Sequence, residues 1–374
     1  MRIAIILFLL LCLLFSLFFA LNIDKALDFL RAQFVEETSL LRASTVGEDS
    51  KTCYIASDNL LAAMIFRIYE DPLFYKIQKA LDKYGGGADD LHEVLLGIIT
   101  SDLFYERYNE FVDSIFGRFG NRVTPGKIVY ELPNKSKPLT SWDAFADLIV
   151  YKSLKYFYSN NLDKAVENFE KLMKLWDGNG FRDSSYILNN LYETYKLALA
   201  VYLYELLSSK LKNFKNYEPA IFKMRKIIDS LQDLNGGMAT NYKYDASSKK
   251  YIPMGDVNTE TTCITLLAYS KSIIVKREIE KIDDLSKVTS KSSKCITIAF
   301  KAPKLEDINI ITNRGSRRIK KFSNKVNSII CWLGPHESVK SIKINLELSK
   351  GKEDLSEKDL RVYIISLEHR GDQK

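Results

Sequence analysis

The sequence predicts a mainly helical domain followed by a small, sandwich-like all-β domain. Two observations lead to this prediction. Apolar residues recur at spacings of three and four over residues 23–43, and again more strongly over 141–278, which is the period of a helix. From residue 293 the pattern changes to an alternation of period two, which is typical of strands.

The chain begins with an apolar run. Residues 3–20 contain no charge, proline or glycine. The run exceeds the roughly 7–15 residues of a signal-peptide core and approaches the about 20 residues of a spanning helix. We therefore predict that residues 1–20 are a cleaved signal peptide or a membrane anchor. Because Arg2 precedes the run, the rest of the chain is expected outside the cytoplasm, either membrane-anchored or secreted.

The remaining chain is predicted as a helical domain over 21–280, a charged linker over 281–292 and a β domain over 293–374. Ser57 is expected to cap a helix over 58–69, and Pro72 to open another over 72–84. Residues 90–138 are less regular, with one strand-like run at 128–130. Five further helices are separated by Asn- and Gly-containing turns. They are predicted at residues 141–160, 162–176, 184–210, 217–234 and 259–278.

Charge and cysteine content restrict the function. The net charge is +7, and the basic excess lies in the predicted β domain. This excess is expected either to belong to a solvated, Lys-rich sheet surface or to form a surface that binds anionic headgroups. No phosphate-binding loop or zinc-ligand spacing is visible, so we predict no cofactor, no metal and no nucleic-acid partner. The Asn134-Lys135-Ser136 triplet is a glycosylation sequon, which is compatible with export.

Four cysteines lie beyond the apolar run, and an extracytoplasmic compartment permits disulfides. We expect a disulfide between Cys295 and Cys331, both of which lie in the predicted β domain. Cys53 and Cys263 would then form a second pair. Four free thiols are the alternative.

Polar runs open several predicted helices, and two of them form a recognisable unit. Residues 231–238 read Leu-Gln-Asp-Leu-Asn-Gly-Gly-Met, and a loop with Tyr242 and Tyr244 follows. Residues 256–262 then read Asp-Val-Asn-Thr-Glu-Thr-Thr before an apolar helix. This arrangement resembles the repeat of α/α-toroid proteins, which include six-hairpin proteins, prenyltransferases and terpene cyclases. The resemblance extends over about 141–275.

The resemblance implies an (α/α) toroid of paired helices, in which such a turn joins an outer helix to the next inner one. It does not imply the activities of prenyltransferases or cyclases. The Cys, His and Asp metal pattern of the former and the Asp-rich run of the latter are both missing. The thioester motif of complement-like proteins is missing as well.

In a toroid the inner helices are parallel, so their N-termini and positive dipole ends meet at one mouth. Carboxylates beside aromatic rings in such a mouth suit glycan binding or glycoside cleavage. The candidate catalytic acids are Asp58, Asp177, Asp183 and Glu260. The candidate binding residues are Trp176, Phe181, Tyr242, Tyr244 and Asn258.

Each candidate also has a structural interpretation, because Asp and Asn are common in helix caps and turns. Lys196, inside an apolar helix, is expected either to pair with one of the acids or to reach solvent. Two functions remain open. One is a non-catalytic extracytoplasmic protein that binds a ligand, such as a glycan or a cell-envelope partner. The other is a carbohydrate-active hydrolase or lyase that uses paired carboxylates.

Overall fold

The computed structural model describes the chain between Ala20 and His369, with gaps. Side chains are described within residues 20–270, and the strands beyond are described by their backbone pairing. The described ranges are 20–47, 51–84, 94–95, 97, 104–105, 108–133, 137–211, 214–270, 272–279, 294–300, 305–312, 315–320, 328–333, 339–346 and 360–369. Apart from Ala20, the apolar run, the linker and the sequon lie outside these ranges.

Helices dominate the described residues up to 270, which confirms a mainly helical chain with some β structure. Nine α-helices are present among the described residues. They are α1 (Ile23–Gln33), α2 (Ala56–Ile68), α3 (Leu73–Tyr84), α4 (Ala146–Tyr158), α5 (Leu162–Leu175), α6 (Ser184–Asn189), α7 (Thr194–Lys210), α8 (Glu218–Ser230) and α9 (Thr259–Tyr269). No helix in the described part of the chain combines the length and apolarity that a membrane span requires.

The long helices divide into central and peripheral ones. Helices α2, α7 and α9 are buried on nearly all sides, because small and apolar residues occupy every face. The peripheral helix α5 instead buries Ala165, Phe169 and Leu172 at helical spacing and leaves charged residues outside. Helices α1, α3 and α8 follow the same one-sided pattern.

The central helices pack in a row that continues into α4. Helix α2 contacts α9, α9 contacts α7, and α7 contacts α4. Each also contacts a peripheral helix, namely α3 on α2, α1 on α9, α8 on α7 and α5 on α4. The core of the helical part therefore lies between an inner and an outer set of helices.

Short sheets connect the helices. Strands β1 (Phe34–Val35) and β2 (Leu40–Leu41) form a small hairpin. Strand β3 (Cys53–Ile55) pairs in parallel with β5 (Arg122–Pro133), and β5 pairs antiparallel with β4 (Tyr108–Phe119). Strand β6 (Tyr192–Glu193) pairs with β7 (Met238–Asp245), which pairs with β8 (Lys250–Asn258).

Several predicted helices are shorter than their apolar pattern. The helix predicted over 23–43 ends at Gln33, because residues 36–39 form a turn and Ser39 adopts a φ of 59°. The segment predicted as one helix over 184–210 is broken at Asn190, whose φ is 54° and left-handed. The last predicted helix ends at Tyr269, and the β-branched residues after it continue as a strand.

The β4–β5 hairpin is the largest feature that the sequence pattern missed. Only residues 128–130 were expected as a strand, whereas the two strands together span residues 108–133 with a turn at 120–121. The Thr124-Pro125-Gly126 triplet, although typical of a turn in sequence, lies inside β5. Proline is tolerated there because β3 pairs only with residues 127–129, so that β5 has a single neighbouring strand at Pro125.

The described residues beyond 271 form seven strands, which are described by their pairing alone. One antiparallel sheet has the order β13-β10-β15-β9, and the other has the order β12-β11-β14. The strands are β9 (Ser272–Ile279), β10 (Lys294–Phe300), β11 (Leu305–Thr312), β12 (Gly315–Lys320), β13 (Ser328–Leu333), β14 (Val339–Leu346) and β15 (Leu360–His369). Strand β9 precedes the predicted linker, so the sheet includes a segment that had been assigned to the last helix.

The expected disulfide between Cys53 and Cys263 is not present in the structure. Cys53 and Cys263 remain thiols, one in β3 and the other in the buried interior of α9. In the C-terminal sheet, Cys295 lies opposite Trp332 and Cys331 lies opposite Ile296. The two cysteines are therefore on neighbouring strands, one residue out of register.

Candidate functional site

The strongest concentration of charge in the described helical part surrounds Lys196 in the first turn of α7. Its side chain is only 3% exposed, and its Nζ lies 2.6 Å from Asp183 Oδ2. The same ammonium contacts Glu193 and lies 3.8 Å from Asp147 Oδ1. We call Asp147, Asp183, Glu193, Lys196 and Glu260 the helix-start cluster. It carries four carboxylates and one ammonium.

Asp183 is the structural anchor of the cluster. One oxygen accepts hydrogen bonds from the Ala146 backbone N–H at 3.0 Å and from Lys196, and the other accepts from the Tyr186 N–H at 3.1 Å. It thereby caps α6 and fixes the start of α4. With its side chain 1% exposed, Asp183 holds three segments together, and this position favours a structural role over the predicted catalytic one.

Glu193 and Asp147 form the accessible part of the cluster, with side chains 26% and 18% exposed. Burial raises the pKa of Glu193, and Asp147 and Asp183 add to this effect, whereas Lys196 opposes it. The pKa of Lys196 is itself raised. Burial acts to lower it, but the attraction of the surrounding carboxylates outweighs this effect.

Tyr195 brings Glu260 into the same site. Its hydroxyl donates to Asp147 Oδ2 at 2.9 Å. Burial raises the pKa of Tyr195 well above its ordinary value, and the charges of Asp147, Glu193 and Glu260 raise it further. Glu260 lies in the first turn of α9 and is partly exposed. The starts of α4, α7 and α9 therefore meet at one end of the helical part.

Asp58 extends this arrangement to α2. It lies in the first turn of that helix and is 4% exposed. Burial raises the pKa of the Cys263 thiol, and the charges of Asp58 and Glu260 raise it further, which places both acids near that thiol. The helix begins at Ala56 after the extended Ile55, so Ser57 is not its N-cap, contrary to prediction.

Asp177 is separate from the cluster and stabilises a turn. Its carboxylate accepts hydrogen bonds from the backbone N–H groups of Asn179 and Gly180, from Arg182 and from the Tyr192 hydroxyl, at 2.6–3.0 Å. Burial acts to raise its pKa, but these hydrogen bonds, led by that of Tyr192, outweigh burial and lower the pKa. A carboxylate held in this way is a poor proton donor.

We expect Asp177→Ala to lower the free energy of unfolding by about 1–3 kcal/mol at neutral pH, because the Tyr192 hydroxyl and two backbone donors lose their acceptor. The folded-state pKa is lowered, so the contribution of the carboxylate is present above its ordinary pKa and is lost as the pH falls through the folded value. Urea unfolding at neutral and acidic pH measures this. A difference between wild type and variant that persists in acid would contradict the assignment.

The predicted aromatic residues have mixed roles. Tyr242 has no exposed surface, and its hydroxyl donates to the Asn179 carbonyl at 2.7 Å. Phe181 is 3% exposed and packs against the half-buried Trp176. Tyr242 and Phe181 are thus core residues and offer no free ring face to a ligand. Tyr244 is half-buried against Tyr251.

Asn258, the fifth predicted binding residue, caps α9. Its side chain accepts a hydrogen bond from the Thr261 N–H at 2.8 Å. Nearby, the buried Thr259 hydroxyl donates to the Arg42 carbonyl at 2.6 Å, which ties the start of α9 to the segment before α2. Asn258 and Thr259 in the polar run 256–262 are therefore explained by capping and by contacts with the segment before α2.

No protein family, curated protein or solved structure matches the chain. Among the described residues, no group of three or more His, Cys, Asp or Glu side chains has an arrangement that could hold a metal ion.

Sequence reasoning found part of the cluster and missed its most accessible acid. Asp183 and Glu260 were predicted, and Lys196 was expected to pair with an acid or reach solvent; it pairs with Asp183. Glu193 was not predicted. The available signal was its position directly before a largely apolar helix, since Glu193 itself lies just outside the helix while both neighbouring residues are buried.

Proposed function

We propose that the protein binds a neutral or amino-sugar glycan at the helix-start cluster, on the extracytoplasmic side of a membrane. The observation that carries this proposal is that the partly exposed Asp147 and Glu193 lie around the buried Lys196, and that the Tyr195 hydroxyl donates to Asp147. The charge of the partly exposed Glu260 also acts on Tyr195. Carboxylates accept hydrogen bonds from sugar hydroxyls and form strong, charge-assisted contacts. An acidic glycan is disfavoured, because the cluster carries an excess of negative charge.

The toroid belongs to this proposal. Its support is the row α2, α9, α7 and α4, each with a peripheral partner, and the hydrogen bond that joins the first turns of α7 and α4. In such a fold the cluster would line the mouth. The positive ends of the helix dipoles would stabilise the carboxylates there in their charged form. The carboxylate oxygens would remain able to accept hydrogen bonds from a sugar.

The matching experiment is glycan-array screening of the full chain in detergent, followed by calorimetry on the glycans bound. We expect Glu193→Gln and Glu260→Gln each to weaken binding roughly tenfold or more, since a hydrogen bond to a charged group contributes about 1.5–3 kcal/mol. Glu170→Gln, an exposed acid on α5, is the matched control and should bind as wild type. An inert wild type, or equal binding by all variants, would overturn the proposal.

A second candidate is glycoside cleavage at the same site, favoured by the raised pKa of Glu193. A carboxyl group that keeps its proton at higher pH can protonate the leaving glycosidic oxygen. Asp147 or Glu260 would then remove a proton from a water that attacks the anomeric carbon from the opposite face, so that the C–O bond to water replaces the one that breaks. Product analysis of the bound glycans distinguishes the two functions. Cleavage that is lost in Glu193→Gln, while binding is retained, would identify an enzyme.

A further inference from the structure

The β4–β5 hairpin exposes apolar side chains that a folded protein ordinarily buries. Phe116 is 67% exposed, Val112 55%, Phe119 51% and Val123 50%. The register pairs Phe116 with Pro125 and Arg118 with Val123, so Val112, Phe116 and Val123 share one face of the ladder. Phe119 lies beside the turn. We call these four residues the hairpin patch.

The opposite face of the same hairpin is part of the core. Ile115 and Ile128 are buried, and a Cβ at Gly117 would overlap the Glu37 carbonyl group. The hairpin is therefore held firmly from one side. The exposed apolar residues therefore belong to a well-packed hairpin whose other face is buried, and not to a loosely held segment.

The charges near the hairpin patch differ between its two ends. Glu110 lies on the same face two residues from Val112, whereas the distal half of the hairpin is purely cationic. Residues 114–127 contain Arg118, Arg122 and Lys127 and no acid. The Arg122 guanidinium lies 5.8 Å from the Phe119 ring centroid and 3.5 Å from Glu37, an acid of the neighbouring turn. Arg118 and Lys127 are exposed on the same face as Phe116.

We propose that the hairpin patch docks on an anionic lipid bilayer. Aromatic and aliphatic side chains enter the boundary between headgroups and acyl chains, while adjacent Arg and Lys side chains pair with lipid phosphates. Charge complementarity selects this partner. An interface with another protein is ordinarily depleted of cations other than Arg at its centre, whereas here Arg118 and Lys127 lie among the apolar residues.

The test measures insertion at the hairpin itself and not attachment of the whole chain, because the N-terminal apolar run could attach the full chain to vesicles by itself. Phe116→Trp introduces a fluorescent reporter, and subtraction of the wild-type spectrum removes the native tryptophans. The full chain is reconstituted in vesicles of equal parts phosphatidylglycerol and phosphatidylcholine, with or without lipids brominated on the acyl chains. Phe222→Trp, at an exposed phenylalanine of α8, is the matched control.

We expect the added fluorescence of Phe116→Trp to be blue-shifted and quenched by brominated lipid, and that of Phe222→Trp to be neither. In vesicles of phosphatidylcholine alone, the equilibrium constant for local insertion should fall, because the anionic lipid is absent. In anionic vesicles, Arg118→Gln and Lys127→Gln should each lower the same constant roughly fivefold. Equal quenching in neutral and anionic vesicles, or equal quenching at positions 116 and 222, would overturn the proposal. A blue shift that needs no lipid and grows with protein concentration would assign the patch to a second copy and would also overturn it.

Discussion

Lys196→Met should lower the free energy of unfolding by about 3–5 kcal/mol, because removal of one partner leaves a buried charge uncompensated. Asp183, whose side chain is 1% exposed, would keep its two backbone donors and lose its ammonium partner. Since Asp183 joins the starts of α4, α6 and α7, the loss should reduce the stability of the whole helical part rather than that of one helix.

Thermal unfolding of the full chain in detergent, followed by circular dichroism, measures this effect. For a domain of this size the midpoint should fall by roughly 2–4 °C for each kcal/mol lost. Lys171→Met is the matched control. Lys171 pairs with Glu167 on the surface of α5, with side chains 40% and 60% exposed, and its removal should leave the midpoint almost unchanged.

The double variant Asp183→Asn, Lys196→Met tests the cause. If the cost comes from an unpaired buried carboxylate, neutralising that carboxylate should restore part of the stability that Lys196→Met removes. A double variant that is less stable than Lys196→Met by the full cost of Asp183→Asn alone would contradict the charge argument. The lost stability would then be assigned to packing around the lysine stem.

The helices were predictable where one face is apolar or where caps are explicit. Helix α3 follows Pro72 and begins at Leu73, close to the expected start. Prediction failed where local geometry overrides the apolar pattern. Leu40 and Leu41 continue the spacing of α1, yet they form a strand because the polar turn before them reverses the chain. Periodicity alone cannot detect such a turn.

The site was only partly predictable, because sequence identifies acids but not their hydrogen-bond donors. Asp177 and Asp183 look alike in sequence, since each lies in the same polar run before a short helix. In the structure, the Asp177 carboxylate accepts hydrogen bonds from the turn and from an arginine. The Asp183 carboxylate instead accepts them from Lys196 and from the N–H groups at two helix starts. Glu193 is more exposed than the residues on either side of it, and only tertiary contacts reveal this.

The Asn-Gly-Gly turn before β7 has a structural role, because it packs closely on α1. Gly236 has a φ of +96°, and a Cβ there would overlap the Lys25 carbonyl oxygen in α1. Gln232 fastens the same junction, since its side chain donates to the Asn22 carbonyl at 2.9 Å and accepts from the Asn22 N–H at 2.9 Å. The missing side chain lets the turn pack directly on the first turn of α1.

We therefore expect Gly236→Ala to destabilise the helical part by about 2–5 kcal/mol, from a left-handed backbone strain of about 1–2 kcal/mol and an overpacking cost of about 1–3 kcal/mol. Chemical denaturation of the full chain measures the loss. Gly120→Ala separates the two causes, because Gly120 has a φ of +58° and no atom of the described residues lies within 4 Å of the point that a Cβ would occupy. That control should lose only the backbone contribution. Equal losses in the two variants would mean that the contact between the turn and α1 is not tight, and that the glycine is required for its conformation alone.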